Sequence, residues 1–355
     1  MMEGSITYQE IITQPQALAA SLKAVEEQTD DLLQLWRRGY DRVIFTGCGS
    51  TYYLSLSAAY GFQKLNHVFS SGIPGGELFL SPHLFSPLQA LQRVLLVAVS
   101  RSGATTETVR AVEHFKDSGA GSVVTITCEP TSPLNKLGDI NIVIPEAREK
   151  SVAQTRAFVA MQMATLTMAV LIAGETNLKN QLHKMPELSA DLLDKHHDSM
   201  EKLGSDLSLD RIYFLGSGLC YGLACEGSLK MKEMTLTHTE PFHFLEFRHG
   251  PKSMLTDSTL VVGLHSVESQ IFEMDVLIES QQRGSRILSL GDAEPSTRYD
   301  NSVVFSSGCD QIAHSLLYLP PLQLLALARA RAKGLNPDQP HNLDAVVKLE
   351  NLRAP

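Results

Sequence analysis

Apolar residues recur at helical spacing early in the chain: Leu18, Leu22, Val25, Leu32, Leu33 and Trp36 share a repeating face, and Gly39 punctuates its end. Residues 1–40 therefore read as an N-terminal helical arm. From Val43 the period changes. Val43, Ile44 and Phe45 form a short apolar run that ends in Gly47-Cys48-Gly49-Ser50 and passes into a helix-like stretch from Tyr52 to Phe62. Val94 to Val99 is apolar without alternation, the pattern of a strand buried on both faces of a parallel sheet. It stops at Ser100-Arg101-Ser102-Gly103. A helix from Ala104 to Lys116, strands at Ser122 to Thr127 and Ile140 to Ile144, and a long apolar helix after Ser151 complete a βαβ series.

The pattern then restarts. Ile212 to Leu215 ends in Gly216-Ser217-Gly218-Leu219 and feeds a helix from Cys220 to Met234, repeating the Val43 arrangement at an offset of 212 − 43 = 169 residues. This spacing reads as an internal duplication. Strands at Leu260 to Leu264, Arg286 to Leu290 and Ser302 to Phe305, with helices near Ile271 to Gln282 and across Leu322 to Arg331, fill the second copy. The predicted fold class is α/β: two tandem doubly wound parallel-sheet domains of flavodoxin-like type. Their expected extents are 41–195 and 196–340, joined through the polar stretch between Gly174 and Ser208, with a tail over 341–355 at the active site.

The chain has 355 residues, with 30 Lys and Arg against 39 Asp and Glu, a formal net charge of −9. With no basic block anywhere, this balance argues against nucleic acid or an anionic membrane surface as a partner. The polar, acidic N-terminus has no basic segment leading into an apolar one, so a cytoplasmic location is expected. Five scattered cysteines form no CxxC pair and read as buried thiols, without a disulfide or zinc framework. Ala157 to Gly174 is uncharged but carries Gln162, Thr165 and Thr167, which fits a helix buried in a core or subunit interface better than a membrane span.

In an open parallel sheet, ligands bind beyond the carboxyl ends of the strands, where both glycine- and serine-bearing loops lie. Gly47 and Gly49 let the backbone approach a ligand, with Ser50 and Thr51 supplying hydroxyls. Ser100, Ser102 and Thr105 gather hydroxyls and backbone N–H groups around a helix start that favours an anion, and Arg101 adds charge. Such residues singly are ordinary helix caps and turns; two such loops on one sheet edge point to a bound phosphate. The Gly47 loop has Tyr52 where a dinucleotide fingerprint needs its third glycine, and no P-loop pattern occurs, so a sugar phosphate is favoured over a nucleotide.

Residues 226–252 concentrate titratable groups. On a helix, Glu226, Lys230 and Glu233 fall on one face, with Lys232 turned away, and the stretch after Thr235 reads as a loop carrying His238, Glu240, His243, Glu246 and His249. The spacing leaves three readings open: a solvated face with exposed ion pairs, a metal site at His238, Glu240 and His243 that matches no common zinc pattern, or a Glu and a His acting as base and acid in a sugar isomerisation.

Taken in order, GCGS, SRSGxTxE, GSG with its helix, LKMKE, EFRHGP and DQPHNL resemble the tandem sugar-isomerase (SIS) domains of the isomerase half of glutamine:fructose-6-phosphate amidotransferase, and of related amino-sugar-6-phosphate deaminases and fructosamine-6-phosphate deglycases. QEIITQP at residues 9–15 is similar to that family's leader segment. The resemblance implies that Thr51, Ser100, Arg101, Ser102 and Thr105 surround a phosphate, that Glu233 is the proton-shuttling base with Lys230 lining the sugar site, and that His249 opens the ring from the partner subunit of a homodimer. It implies no metal or organic cofactor. Two departures stand out. No glutaminase half with its nucleophilic cysteine precedes Gln9, and the synthase's Schiff-base lysine after the Asn-Leu pair is here Ala345, with Lys348 three residues on as a substitute to be tested. Arg101 replaces the synthase's Gln. The expected function is release of amine from a 6-phosphorylated amino or glycated sugar, without glutamine, ahead of ammonia-dependent synthesis or a non-catalytic sugar-phosphate sensor.

Overall fold

In the computed structural model, which describes residues 4–84, 93–295 and 297–349, the Val43 and Val94 runs lie side by side as β1 (Arg42–Gly47) and β3 (Val94–Ser100). With β2 (Phe69–Pro74), β4 (Gly121–Thr127) and β5 (Ile140–Val143) they form one parallel sheet in the order β2-β1-β3-β4-β5. All seven residues of β3 are buried, as an apolar run without alternation requires. One face is covered by the helix Thr106–Asp117, where Val112 and Phe115 pack on Ile44, Leu96 and Val123; burying such side chains stabilises by about 1.5–3 kcal/mol each.

The second sheet repeats this plan. β6 (Arg211–Gly216), β7 (His238–Phe242), β8 (Thr259–Leu264), β9 (Arg286–Gly291) and β10 (Asn301–Val304) are parallel in the order β10-β9-β8-β6-β7. The duplication holds to the residue. Gly49 (φ 58°, ψ −125°) precedes the helix Ser50–Asn66, and Gly218 (φ 55°, ψ −124°) precedes the helix Leu219–Thr235, 169 positions later. Both helices then end on a left-handed residue, His67 and Leu236, at the same offset.

The edge strands β2 and β7 escaped the hydrophobic pattern. The stretch after Thr235, read from the sequence as a loop, contains β7 and a helical turn at Phe244–Phe247. Each pairs on one side only, as β5 and β10 also do, but in β2 and β7 most residues are half-exposed and glycine, proline or polar residues interrupt any apolar run. Pro74 and Pro241 are tolerated because an edge position needs no N–H on its outer side.

Packing groups the chain by contacts that interleave along it: residues 4–15, 149–155 and 180–343 form one compact unit with the second sheet, and 16–148, 156–179 and 344–349 form another with the first. Polar contacts explain the first grouping. Thr7 donates its N–H and hydroxyl to Asp338 (2.8 and 2.7 Å), and Glu10 accepts the Lys150 N–H (2.6 Å). Residues 350–355 of the expected tail lie outside the described residues. The apolar helix Arg156–Ala173 is long enough to cross a membrane, yet most of it is buried within the protein; Asn66 Nδ2 donates to its Ala169 carbonyl at 3.1 Å.

Candidate active site

In the first-sheet unit both loops sit at the carboxyl ends of their strands. Thr51 Oγ1 donates to the Cys48 carbonyl and accepts the Cys48 N–H, both at 2.9 Å, closing the turn on itself. That hydroxyl crowds Gly47, where an added Cβ would lie 2.4 Å from Oγ1. Gly49 meets no such crowding and is required instead by its positive φ. Ser50 and Thr51 are both buried. In the other loop, Ser100 Oγ accepts the Gly103 N–H (3.1 Å) and Ser102 Oγ accepts the Ala104 N–H (3.2 Å). Each serine oxygen is thus oriented by the backbone and keeps its own hydrogen to donate to an anion. Thr105 stands at the N-cap of the helix Thr106–Asp117 but spends no side-chain bond on capping it. These groups are the donor set that a dianion at a helix start requires.

Arg101 Nη2 donates to the carbonyl of Ala345 at 3.1 Å. The tail continues along the same helix start: the Thr106 N–H meets the Val347 carbonyl at 3.5 Å, and the Leu349 N–H donates to Thr106 Oγ1 at 3.2 Å. Lys348, exposed, lies between these two contacts.

In the second-sheet unit, Glu226, Lys230 and Glu233 do share a helix face, but that face is not solvated. Lys230 and Glu226 side chains are 2% and 0% exposed, against 20% for Glu233; Lys232 points to solvent. Lys230 Nζ lies 3.5 Å from Glu226 Oε1 and donates to Glu233 Oε2. Burial alone would push the Lys230 pKa down; the charges of Glu226 and then Glu233, with a smaller part from Glu149, outweigh it and hold the ammonium above its ordinary value. The exposed-ion-pair reading is therefore overturned. The helix end is held by Lys333, whose Nζ donates to the Thr235 carbonyl at 2.9 Å.

The histidines separate. His238 is 65% exposed with Glu240 3.7 Å away, while His243 stacks on Tyr221 (centroids 3.7 Å apart) and burial pushes its pKa down. Among the described residues no group of three or more His, Cys, Asp or Glu is arranged to hold a metal ion. His249 is exposed in a turn, its N–H donating to the Glu246 carbonyl at 2.9 Å.

Glu149, which acts on Lys230, and Glu10, which acts on the segment after Glu149, have no local sequence signal. Glu149 faces Lys230 electrostatically and accepts from Thr155 N–H and Oγ1 at 2.8 and 2.9 Å. Glu10, in the QEIITQP segment, is buried, and its pKa is raised by burial and then by Glu149. It binds the backbone N–H groups of Lys150 and Ser151, 140 residues away in the chain and so invisible to any window of spacing.

The hydroxyl loops are not duplicated. Arg42 pairs with Val94 and Arg211 with Thr259, so Ser100 and Ser102 correspond to His265 and Val267, and Thr51 to Cys220. At that edge of the second sheet Glu273, 1% exposed, accepts the Ser266 N–H and hydroxyl (2.7 and 2.9 Å), and Gln311 accepts the Val267 N–H (2.6 Å). The chain's own carboxylate occupies the donors there.

The SIS domain profile matches residues 38–171 and 208–306. The chain is 29% identical over 354 residues to the isomerizing glutamine–fructose-6-phosphate aminotransferase of Thermococcus kodakarensis, covering 96% of this chain and 57% of that protein. It is 28% identical over 360 residues to the same-named protein of Gluconobacter oxydans, covering 96% and 58%. The chain thus spans a little over half the length of these curated relatives. Among solved structures, glucosamine-6-phosphate deaminase of Thermotoga maritima superposes with TM-score 0.74 at 27% identity, covering 93% of this chain and all of that one. Tagatose-6-phosphate ketose/aldose isomerase of Escherichia coli shares the fold, with TM-score 0.87 at 23% identity over 99% and 98% of the two chains. With two matched segments on two parallel sheets of the same strand order, the chain belongs to the SIS domain family.

Proposed function

We propose that this chain binds a 6-phosphorylated amino or glycated sugar and releases its amine through proton transfer between C1 and C2. The Ser100–Thr105 and Gly47–Thr51 loops hold the phosphate, and His249, supplied by the partner subunit of a homodimer, opens the sugar ring. Glu233 is the base. With a 2-amino aldose, it takes the proton from C2 of the open aldehyde, the enolamine forms, and return of that proton to C1 leaves an imine at C2. Water adds to the imine carbon and amine departs, giving the ketose. A 1-amino ketose runs the same exchange in the opposite sense, to a C1 imine and an aldose.

The observation that carries this reading is the placement of Glu233. Of the three charged groups on its helix face it is the one that reaches solvent, and the buried ammonium of Lys230 binds and orients its carboxylate. Ala345 favours release over synthesis, since the position of the synthase's imine-forming lysine here carries a methyl group. The likeness to a glucosamine-6-phosphate deaminase points the same way.

The test is turnover on a panel of 6-phosphorylated amino sugars and fructosyl-amines, with free amine and sugar phosphate both quantified and Glu233→Gln as control. Amine release lost in the variant supports the proposal. Aldose–ketose interconversion without amine release would restrict it to isomerisation. Binding without product over long incubation would replace it with a sugar-phosphate sensor.

A further inference from the structure

We infer that Glu279 is a positioning residue for the turn that carries His249 and so governs ring opening; the inference rests on the ring-opening role proposed above for His249. The chain enters this turn from a fixed base. Phe244 and Phe247, both 0% exposed, pack in one cluster with Val276 and Leu277 of the helix Gln270–Gln282. One residue later Arg248 reaches Glu279 on that same helix, with Nε 3.3 Å from Oε2 and Nη2 bonded to Oε1. The backbone then reverses through Gly250, at φ +120°, and Lys252 Nζ comes back to 3.8 Å from Oε2 of the same Glu279. One carboxylate therefore contacts residues on both sides of the exposed His249.

This arrangement supplies geometry more than stability. The Arg248 and Glu279 side chains are 31% and 32% exposed, and ion pairs that wet contribute about 0–1 kcal/mol to folding. A two-pronged guanidinium–carboxylate contact fixes direction as well as distance. Without it, a turn through a glycine with an exposed imidazole would sample many orientations, and a catalytic group displaced by about 1 Å can lose on the order of a hundredfold in rate. Glu279 reaches the turn through its contacts with Arg248 and Lys252.

The experiment compares wild type, Glu279→Gln and His249→Asn on two substrates: the 6-phosphorylated sugar turned over best, and its analogue lacking the hydroxyls at C4 and C5, which cannot close a ring. Each variant is scored against wild type on the same substrate. Glu279→Gln is expected to lower kcat by roughly ten- to a hundredfold on the ring-forming sugar with little change in KM, and to match wild type within about twofold on the open analogue. His249→Asn should show the same selectivity more strongly. Equal losses on both substrates would make Glu279 a general structural residue and overturn the inference, as would a normal Glu279→Gln beside a defective His249→Asn. A His249→Asn enzyme indistinguishable from wild type on the ring-forming sugar would remove the ring-opening role itself, and the inference with it.

Discussion

Lys230 Nζ stands 3.5 Å from Glu226 Oε1 with both side chains almost wholly out of solvent, so the Glu226 charge depends on that ammonium. Removing the lysine as Lys230→Met takes the nearest cation from a fully buried carboxylate. A loss of about 3–5 kcal/mol in unfolding free energy is expected by urea titration. The double variant Lys230→Met/Glu226→Gln removes both charges and should recover much of it. A single variant costing under about 1 kcal/mol would contradict this coupling.

The Ser102 hydroxyl accepts the Ala104 N–H and, under the proposed function, donates to the substrate phosphate. A hydrogen bond to a charged group contributes about 1.5–3 kcal/mol, so Ser102→Ala should raise KM for a phosphorylated substrate by roughly ten- to a hundredfold with kcat little changed. Steady-state kinetics check this, and an unaltered KM would count against the loop as the phosphate cradle.

Ala345 is tied to Arg101 through its carbonyl, and the residues on either side of Lys348 are both bonded to Thr106. No covalent imine between substrate and chain is therefore expected. Borohydride added during turnover, followed by peptide mass analysis, should find no reduced adduct; sugar attached at Lys348 would show that this lysine has taken over the role missing at Ala345.

Asp206 accepts from the Ser208 hydroxyl (2.6 Å) and N–H (3.0 Å) and from Arg286, which pulls its pKa from 3.8 to about 2. A depressed carboxyl stabilises the fold above its unfolded value and loses that contribution as pH falls through the folded one. The stability advantage of wild type over Asp206→Asn should be full above about pH 4 and shrink toward pH 2. An advantage independent of pH across that interval would contradict the assignment.

Much of this was written in the hydrophobic pattern because the central strands are buried on both faces. β1, β3, β6 and β8 carry continuous apolar runs, and the glycines that follow β1 and β6 repeat at a spacing the structure keeps. Edge strands β2 and β7 have one neighbour each and no such run. Burial is what spacing does not carry: it places Glu226, Lys230 and Glu233 on one face but says nothing about what covers it, and a charged face is ordinarily wet. Glu149 and Glu10 could not be found locally, since the action of Glu149 on Lys230 and the hydrogen bonds of Glu10 to Lys150 and Ser151 join chain segments far apart in sequence.

Under the proposed function, Glu233 moves a proton between C1 and C2 of a bound sugar phosphate. Turnover in deuterium oxide, followed by NMR of the sugar phosphate, tests it most directly. Wild type should incorporate solvent deuterium at the carbon that receives the proton, and Glu233→Gln, still folded, should slow this by about a hundredfold or more. Incorporation by Glu233→Gln at the wild-type rate would contradict the account.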